Sequence, residues 1–167
     1  NDIGYITDGA RGSVKDYFLE VSYGALTVQS VVTAWVALPN TQAYYGANVG
    51  GYDVRPREMV ADAINTLEAG GFDFSTVDGN GHGQVDGLTI IHSGLGEETG
   101  GNPTDAIWSH KWNLITPITY DGVTMNAYHT EPEMRLNGPG ITRIGVICHE
   151  TGHFFGMSEE DLADVGL

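Results

Sequence analysis

At 167 residues with 41% hydrophobic side chains, the chain has the length of one domain, read as a single unit over 1–167, and can bury a core. Twenty-two acidic against seven basic residues give a formal net charge of −15, which excludes a basic nucleic-acid-binding surface and sets the chain against anionic membranes. The single cysteine, Cys148, excludes an intrachain disulfide, and no apolar run is long enough to span a bilayer.

Taken in chain order, Ser13 to Gly24 reads as a helix with Ser13 as its N-cap and Asp16 in its positive first turn. Leu26 to Leu38, rich in Val, Thr and Trp, reads as strand, in two segments or one bent one. Pro56 to Ala69 is a second helix: proline suits its first turn, Met59, Ala63, Ile64 and Leu67 form an inner stripe, and Gly70-Gly71 ends it. Asp78-Gly-Asn-Gly-His-Gly-Gln-Val-Asp86 follows, with Asp78, Asn80 and Asp86 at positions one, three and nine of a calcium-type loop and Gly83 at position six. Position five is His82 and position twelve is Thr89, so the bidentate glutamate of such loops is missing. The loop therefore reads either as a Ca²⁺ site or as a turn-rich connection whose Asp and Asn side chains bond backbone.

Leu88 to His92 is a short apolar strand. The glycine-flanked acidic stretch Gly96 to Gly101 reads as a solvated loop or as the border of a cleft. In Ile107 to Trp112, His110 stands between two tryptophans and reads as structural rather than as a metal ligand. Ile115 to Tyr128 is a hairpin around Asp121-Gly122, a dipeptide suited to a two-residue turn, and the Tyr128-His129 pair reads as lying on a site's rim.

The last helix runs from Thr142, its expected N-cap, to Gly156, its expected stop. Its inner stripe is Ile144, Ile147, Cys148, Thr151, Phe154 and Phe155. Within it, residues 149–153 read His-Glu-Thr-Gly-His. Side chains four apart on a helix share a face, so His149 and His153 can hold one Zn²⁺ while Glu150 serves as general base. That chemistry needs two fixed neutral ligands, an open position for water, and a carboxylate to take the water's proton. Strands interspersed with three helices point to an α/β (α+β) fold with a mixed twisted sheet and a helix carrying the zinc motif.

Four stretches also resemble a known family: Ser13–Val28, Ile90–Gly100, Ile107–His110 and Val146–Gly156 are similar to the immune inhibitor A family of secreted bacterial zinc metalloproteases. The resemblance implies a metzincin-like catalytic domain that hydrolyses peptide or protein substrates, secreted and made with a propeptide or further domains. It also implies an edge strand that aligns the substrate, placed by position at Thr124 to Tyr128. The metzincin pattern carries a third metal ligand three residues after the glycine of Gly156, a position held here by Glu159 where the family usually has Asp. Met157 to Leu167 departs from the family's continuation, and neither the Met-containing turn nor the usual first strand is found. The domain is thus expected to be incomplete in its C-terminal part, or joined across missing residues near Met157, in which case Glu159 belongs to a polar helical tail. A non-catalytic zinc- or calcium-binding domain derived from a protease is the competing reading.

Overall fold

The computed structural model describes residues 12–102, 104–135 and 142–164. The lead-in at Gly140 and Ile141, and the tail beyond Asp164, lie outside the described residues. Helix α1, Val14–Val21, starts at a capping box: Ser13 Oγ accepts from the Asp16 amide while the Asp16 carboxylate accepts from the Ser13 amide. A short helix α2, Gln42–Tyr45, and a two-residue hairpin of β1, Asn48–Val49, with β2, Tyr52–Asp53, were not read from sequence. Helix α3, Pro56–Ala69, has proline at its start, and Gly71 beyond its end takes φ +81°. Met59, Ala63 and Ile64 are buried as its stripe requires.

The main sheet has three strands, β3 Leu88–Leu95, β4 His110–Tyr120 and β5 Val123–Met134, in the order β3-β5-β4. β5 runs parallel to β3 and antiparallel to β4, so the sheet is mixed. The β4–β5 turn is Asp121-Gly122, both at positive φ (53° and 79°), the conformation that a two-residue hairpin loop demands. Asp121 also accepts from the Phe74 amide at 2.9 Å, tying the turn to the 3₁₀ turn Phe74–Val77.

Two corrections concern the sheet. Leu26 to Leu38 forms no strand, since no described segment pairs with it; Val31, Val32 and Trp35 are exposed by 54%, 55% and 65%. High β-propensity describes a side chain suited to a pleated surface, but a strand exists only with a hydrogen-bonded neighbour. Thr124 to Tyr128 cannot be an edge strand, because it lies in the central strand: Trp112 pairs with Tyr128 and Thr119 with Thr124 on the β4 side, while Gly83, Val85 and Leu88 take its other side.

Three clusters of buried side chains hold the layers together. On one sheet face, Val60 and Ile64 of α3 meet Phe74, Leu114, Val123, Met125 and Tyr128. A smaller group of Tyr45, Met59 and Ile107 extends it. Elsewhere, helix α4, Ile144–Phe154, packs on α1 through Val14, Phe18, Ile144, Ile147 and Cys148. Burial pushes the Cys148 thiol up to about 12, which leaves it an inert apolar group rather than a thiolate nucleophile. Successive residues of a strand face opposite ways: Tyr128 faces the α3 side, and the next residue, His129, puts its ring 5.0 Å from that of Phe154 on α4. The sheet is thus sandwiched between α3 and α4.

Candidate metal centre

Helix α4 begins one residue later than expected: Arg143, not Thr142, is the N-cap, and no side chain caps it. Its end is as the sequence required. Gly156 takes φ +81°, its amide donates to the His153 carbonyl at 3.2 Å, and the Met157 amide donates to the Gly152 carbonyl at 3.3 Å. This double closure needs a residue free to turn left-handed, and it reverses the chain back over the helix. Of the expected inner stripe, Ile144, Ile147, Cys148 and Thr151 are buried, whereas Phe155 is 46% exposed and touches Phe18 edge-on.

The returning chain makes a short helix α5, Glu159–Asp164. Ser158 and Asp161 form a second reciprocal cap, with Ser158 Oγ accepting from the Asp161 amide and the Asp161 carboxylate accepting from the Ser158 amide and hydroxyl. Leu162 is fully buried against Gly152, where an added Cβ would stand 2.5 Å from Leu162 Cδ2 and 3.3 Å from Met157 Sδ. The glycine inside the His-Glu-Thr-Gly-His run is therefore the seat on which α5 rests.

That seat decides where Glu159 goes. Its carboxylate lies 3.3 Å from His149 Nε2 and 3.4 Å from His153 Nε2. One ligand atom from each of His149, His153 and Glu159 lies within 4.8 Å of the others, the only such group of three among the described residues. The His149 and His153 rings stand 5.0 Å apart at 89°. His153 Nδ1 sits 2.9 Å from the Met157 carbonyl, which fixes that nitrogen as donor and turns Nε2 inward. Tetrahedral ligands at the ~2.0–2.1 Å bond lengths of zinc to imidazole and carboxylate stand roughly 3.3 Å from one another. The donor set and its spacing fit such an ion, with one position left over.

Glu150 projects from the same helix and is only 7% exposed. Burial, then the charge of Glu131, push its carboxyl up to about 7; His153 and His129 act the other way. A carboxyl poised near neutrality beside a metal position can take a proton and return it.

None of the other sequence-predicted residues joins this group of three among the described residues. Asp78 spends both carboxylate oxygens on backbone amides, those of Gly81, His82 and Gly83, at 2.9–3.1 Å. Asn80 Nδ2 reaches Asp86 at 3.4 Å, and Asp86 stands 3.7 Å from His82 Nε2. Asp78 and Asn80 Oδ1 both accept from the His82 amide, at 3.1 and 3.3 Å, so Asp78, Asn80 and Asp86 share one hydrogen-bonded loop. His110 is structural, as expected: Nδ1 meets the Trp108 carbonyl at 2.7 Å and Nε2 the Tyr128 hydroxyl at 3.1 Å. The Gly96–Gly101 loop is half-buried rather than solvated, with the Glu98 carboxylate accepting from both the hydroxyl and the amide of Ser109. His129 is no rim residue; it is 1% exposed and bonded to the fully buried Glu131. Glu131 escaped the sequence reading, although two residues apart on a strand share a face, the signal that could have paired it with His129.

A mixed sheet is backed by a helix that presents two imidazoles and a carboxyl, with a second carboxylate beside them, an arrangement of the kind that metallopeptidase catalytic domains use. The sequence profile described as "Immune inhibitor A peptidase M6, catalytic domain" matches residues 4–165, and the chain belongs to that family. It is 35% identical over 181 aligned positions to Immune inhibitor A of Bacillus thuringiensis subsp. alesti, covering 93% of this chain and 26% of that protein. It is 30% identical over 176 positions to the pre-pro-metalloprotease PrtV of Vibrio cholerae serotype O1 (strain M66-2), covering 89% of this chain and 19% of the relative. The chain thus spans about a quarter or less of the relatives it matches.

Proposed function

We propose that this chain is the catalytic domain of a zinc-dependent endopeptidase, with His149, His153 and Glu159 as metal ligands and Glu150 as general base and then general acid. The observation that carries it is the convergence of the three ligand atoms within 4.8 Å beside a buried, proton-poised Glu150. Bound zinc supplies a Lewis acid for the scissile carbonyl and acidifies the attacking water. Glu150 accepts that water's proton and delivers it to the leaving amine, which its near-neutral pKa allows in both directions. Met157, through its carbonyl, holds His153 in the tautomer whose Nε2 is free to ligate.

Peptides or proteins are the substrates, and family membership supports secretion and synthesis with further segments. The Vibrio relative is named a pre-pro-metalloprotease; a propeptide and additional domains are proposed here on that likeness. No helix among the described residues is long and apolar enough to cross a membrane. A calcium role for Asp78, Asn80 and Asp86 rests on their loop spacing alone; titrating Ca²⁺ into chelator-stripped protein tests it, and absence of heat removes it.

The deciding experiment measures zinc content and casein cleavage for the wild type and Glu150→Gln. Zinc near one per chain in both, with cleavage only in the wild type, is the expected result. Zinc without cleavage in the wild type favours a non-catalytic binding domain, and undiminished turnover by Glu150→Gln removes the acid–base role.

A further inference from the structure

Beneath the metal helix lies a polar network that the reaction described above does not use. His129 and Glu131 sit two residues apart on the central strand and are 1% and 0% exposed. His129 Nδ1 bonds Glu131 Oε1. Glu131 occupies Nδ1, so Nε2 is the nitrogen left for other partners. Nε2 meets two hydroxyls: Thr89 of β3 at 2.8 Å and Thr151 of α4 at 3.3 Å. Glu131 Oε2 has no hydrogen-bond partner among the described residues, and burial raises the Glu131 carboxyl. Apolar side chains of similar volume would fill this space without burying an unpartnered oxygen, so packing alone does not account for the arrangement.

The direction of the contact matters. At 100° per residue, Thr151 lies about 160° around the helix from both His149 and His153, on the side facing away from the metal position. A single imidazole thus joins β5, β3 and the back of α4 at the level of the ligands. Phe154, whose ring lies 5.0 Å from that of His129, closes the space one turn along.

We propose that His129 and Glu131 are positioning residues of the metal centre: Glu131 orients His129, and His129, through Thr151, fixes the rotation and depth at which α4 presents His149, Glu150 and His153. This rests on the zinc-peptidase reading. A helix rotated by even a few degrees about its axis moves ligand atoms off the common point, so the clamp acts on metal affinity and turnover rather than on substrate binding.

The test compares Thr151→Val, which keeps the shape and removes the hydroxyl, with Thr151→Ser, which keeps the hydroxyl, and adds Glu131→Gln alone and with Thr151→Val. Zinc affinity is read by chelator competition, the ligand field by the visible spectrum of the Co²⁺-substituted protein, and kcat and KM on a casein peptide well below the melting temperature. Expected for Thr151→Val is a roughly 10-fold loss in zinc affinity and kcat, a changed Co²⁺ spectrum and KM within about twofold. Thr151→Ser restores the wild-type values, and the double variant is no worse than the poorer single one. Zinc affinity, spectrum and kcat unchanged in Thr151→Val, with only a lowered melting point, overturn the proposal and leave the network purely structural. If Glu131→Gln does not fold, the two Thr151 variants decide alone. A wild-type chain that binds no zinc and cleaves nothing sinks the peptidase reading, and the clamp with it, whereas an active wild type with unaffected variants sinks only the clamp.

Discussion

Replacing Glu150 by Gln is expected to stabilise the metal-free protein at neutral and alkaline pH while leaving it unchanged in acid. Glu150 is 7% exposed, and its carboxyl is raised from its ordinary 4.5 to about 7, chiefly by burial and then by Glu131. An acid whose pKa is higher in the folded than in the unfolded chain holds its proton more tightly when folded. Its contribution is therefore complete below the unfolded value and is lost as pH climbs through the folded one. Each pH unit between 4.5 and about 7 is worth about 1.4 kcal/mol, so ionising Glu150 in place costs the fold about 3 kcal/mol by pH 8. A neutral isostere has nothing to ionise. For a chain of this length, that difference raises the melting temperature by roughly 6–10 °C. Thermal unfolding followed by circular dichroism, in chelator and from pH 4 to 8, reads it directly. The two proteins should melt together near pH 4 and separate steadily above pH 5. Melting curves that stay parallel throughout, or a wild type that is the more stable at pH 8, would refute the reasoning that a buried carboxyl opposes folding here.

Gly152→Ala puts a methyl 2.5 Å from Leu162 Cδ2; α5 must shift, lowering stability by about 1–3 kcal/mol and carrying Glu159 off the imidazoles, so both the melting point and zinc affinity by chelator competition should fall. Gly122→Ala forces a side chain onto φ +79° with nothing within 4 Å of the new methyl, so denaturant titration should show a pure backbone cost of about 1 kcal/mol and unchanged zinc binding.

Local chemistry accounts for what was readable in the sequence. The Ser13 cap, the proline and glycines bracketing α3, the Asp121-Gly122 turn and the Gly156 stop all act within four or five residues, and each appears at its expected place. The Thr142 cap is the local exception, displaced by one residue in a helix whose stability comes from packing on α1 and the sheet. Misreadings cluster where a distant partner decides the outcome. Leu26 to Leu38 has strand-forming side chains but no described neighbour to pair with, and Thr124 to Tyr128 was placed at an edge when both its sides are taken. His129 looked like a rim residue only because Glu131, Thr89 and Thr151 meet it from three separate elements.

By itself, the sequence determined the helical face that pairs His149 with His153 and puts Glu150 beside them, because a four-residue spacing on a helix leaves no other arrangement. Tertiary structure alone decided that Glu159 would reach that pair: its approach depends on Leu162 seating against a residue without a side chain ten positions earlier, and on the turn at Gly156 that brings the chain back. Tertiary structure likewise buried Glu150, with Glu131 on the strand behind the helix as the lesser cause, and so raised its carboxyl toward neutrality. Helix periodicity is carried by neighbours along the chain, whereas burial and the charge at a given point depend on everything folded around it.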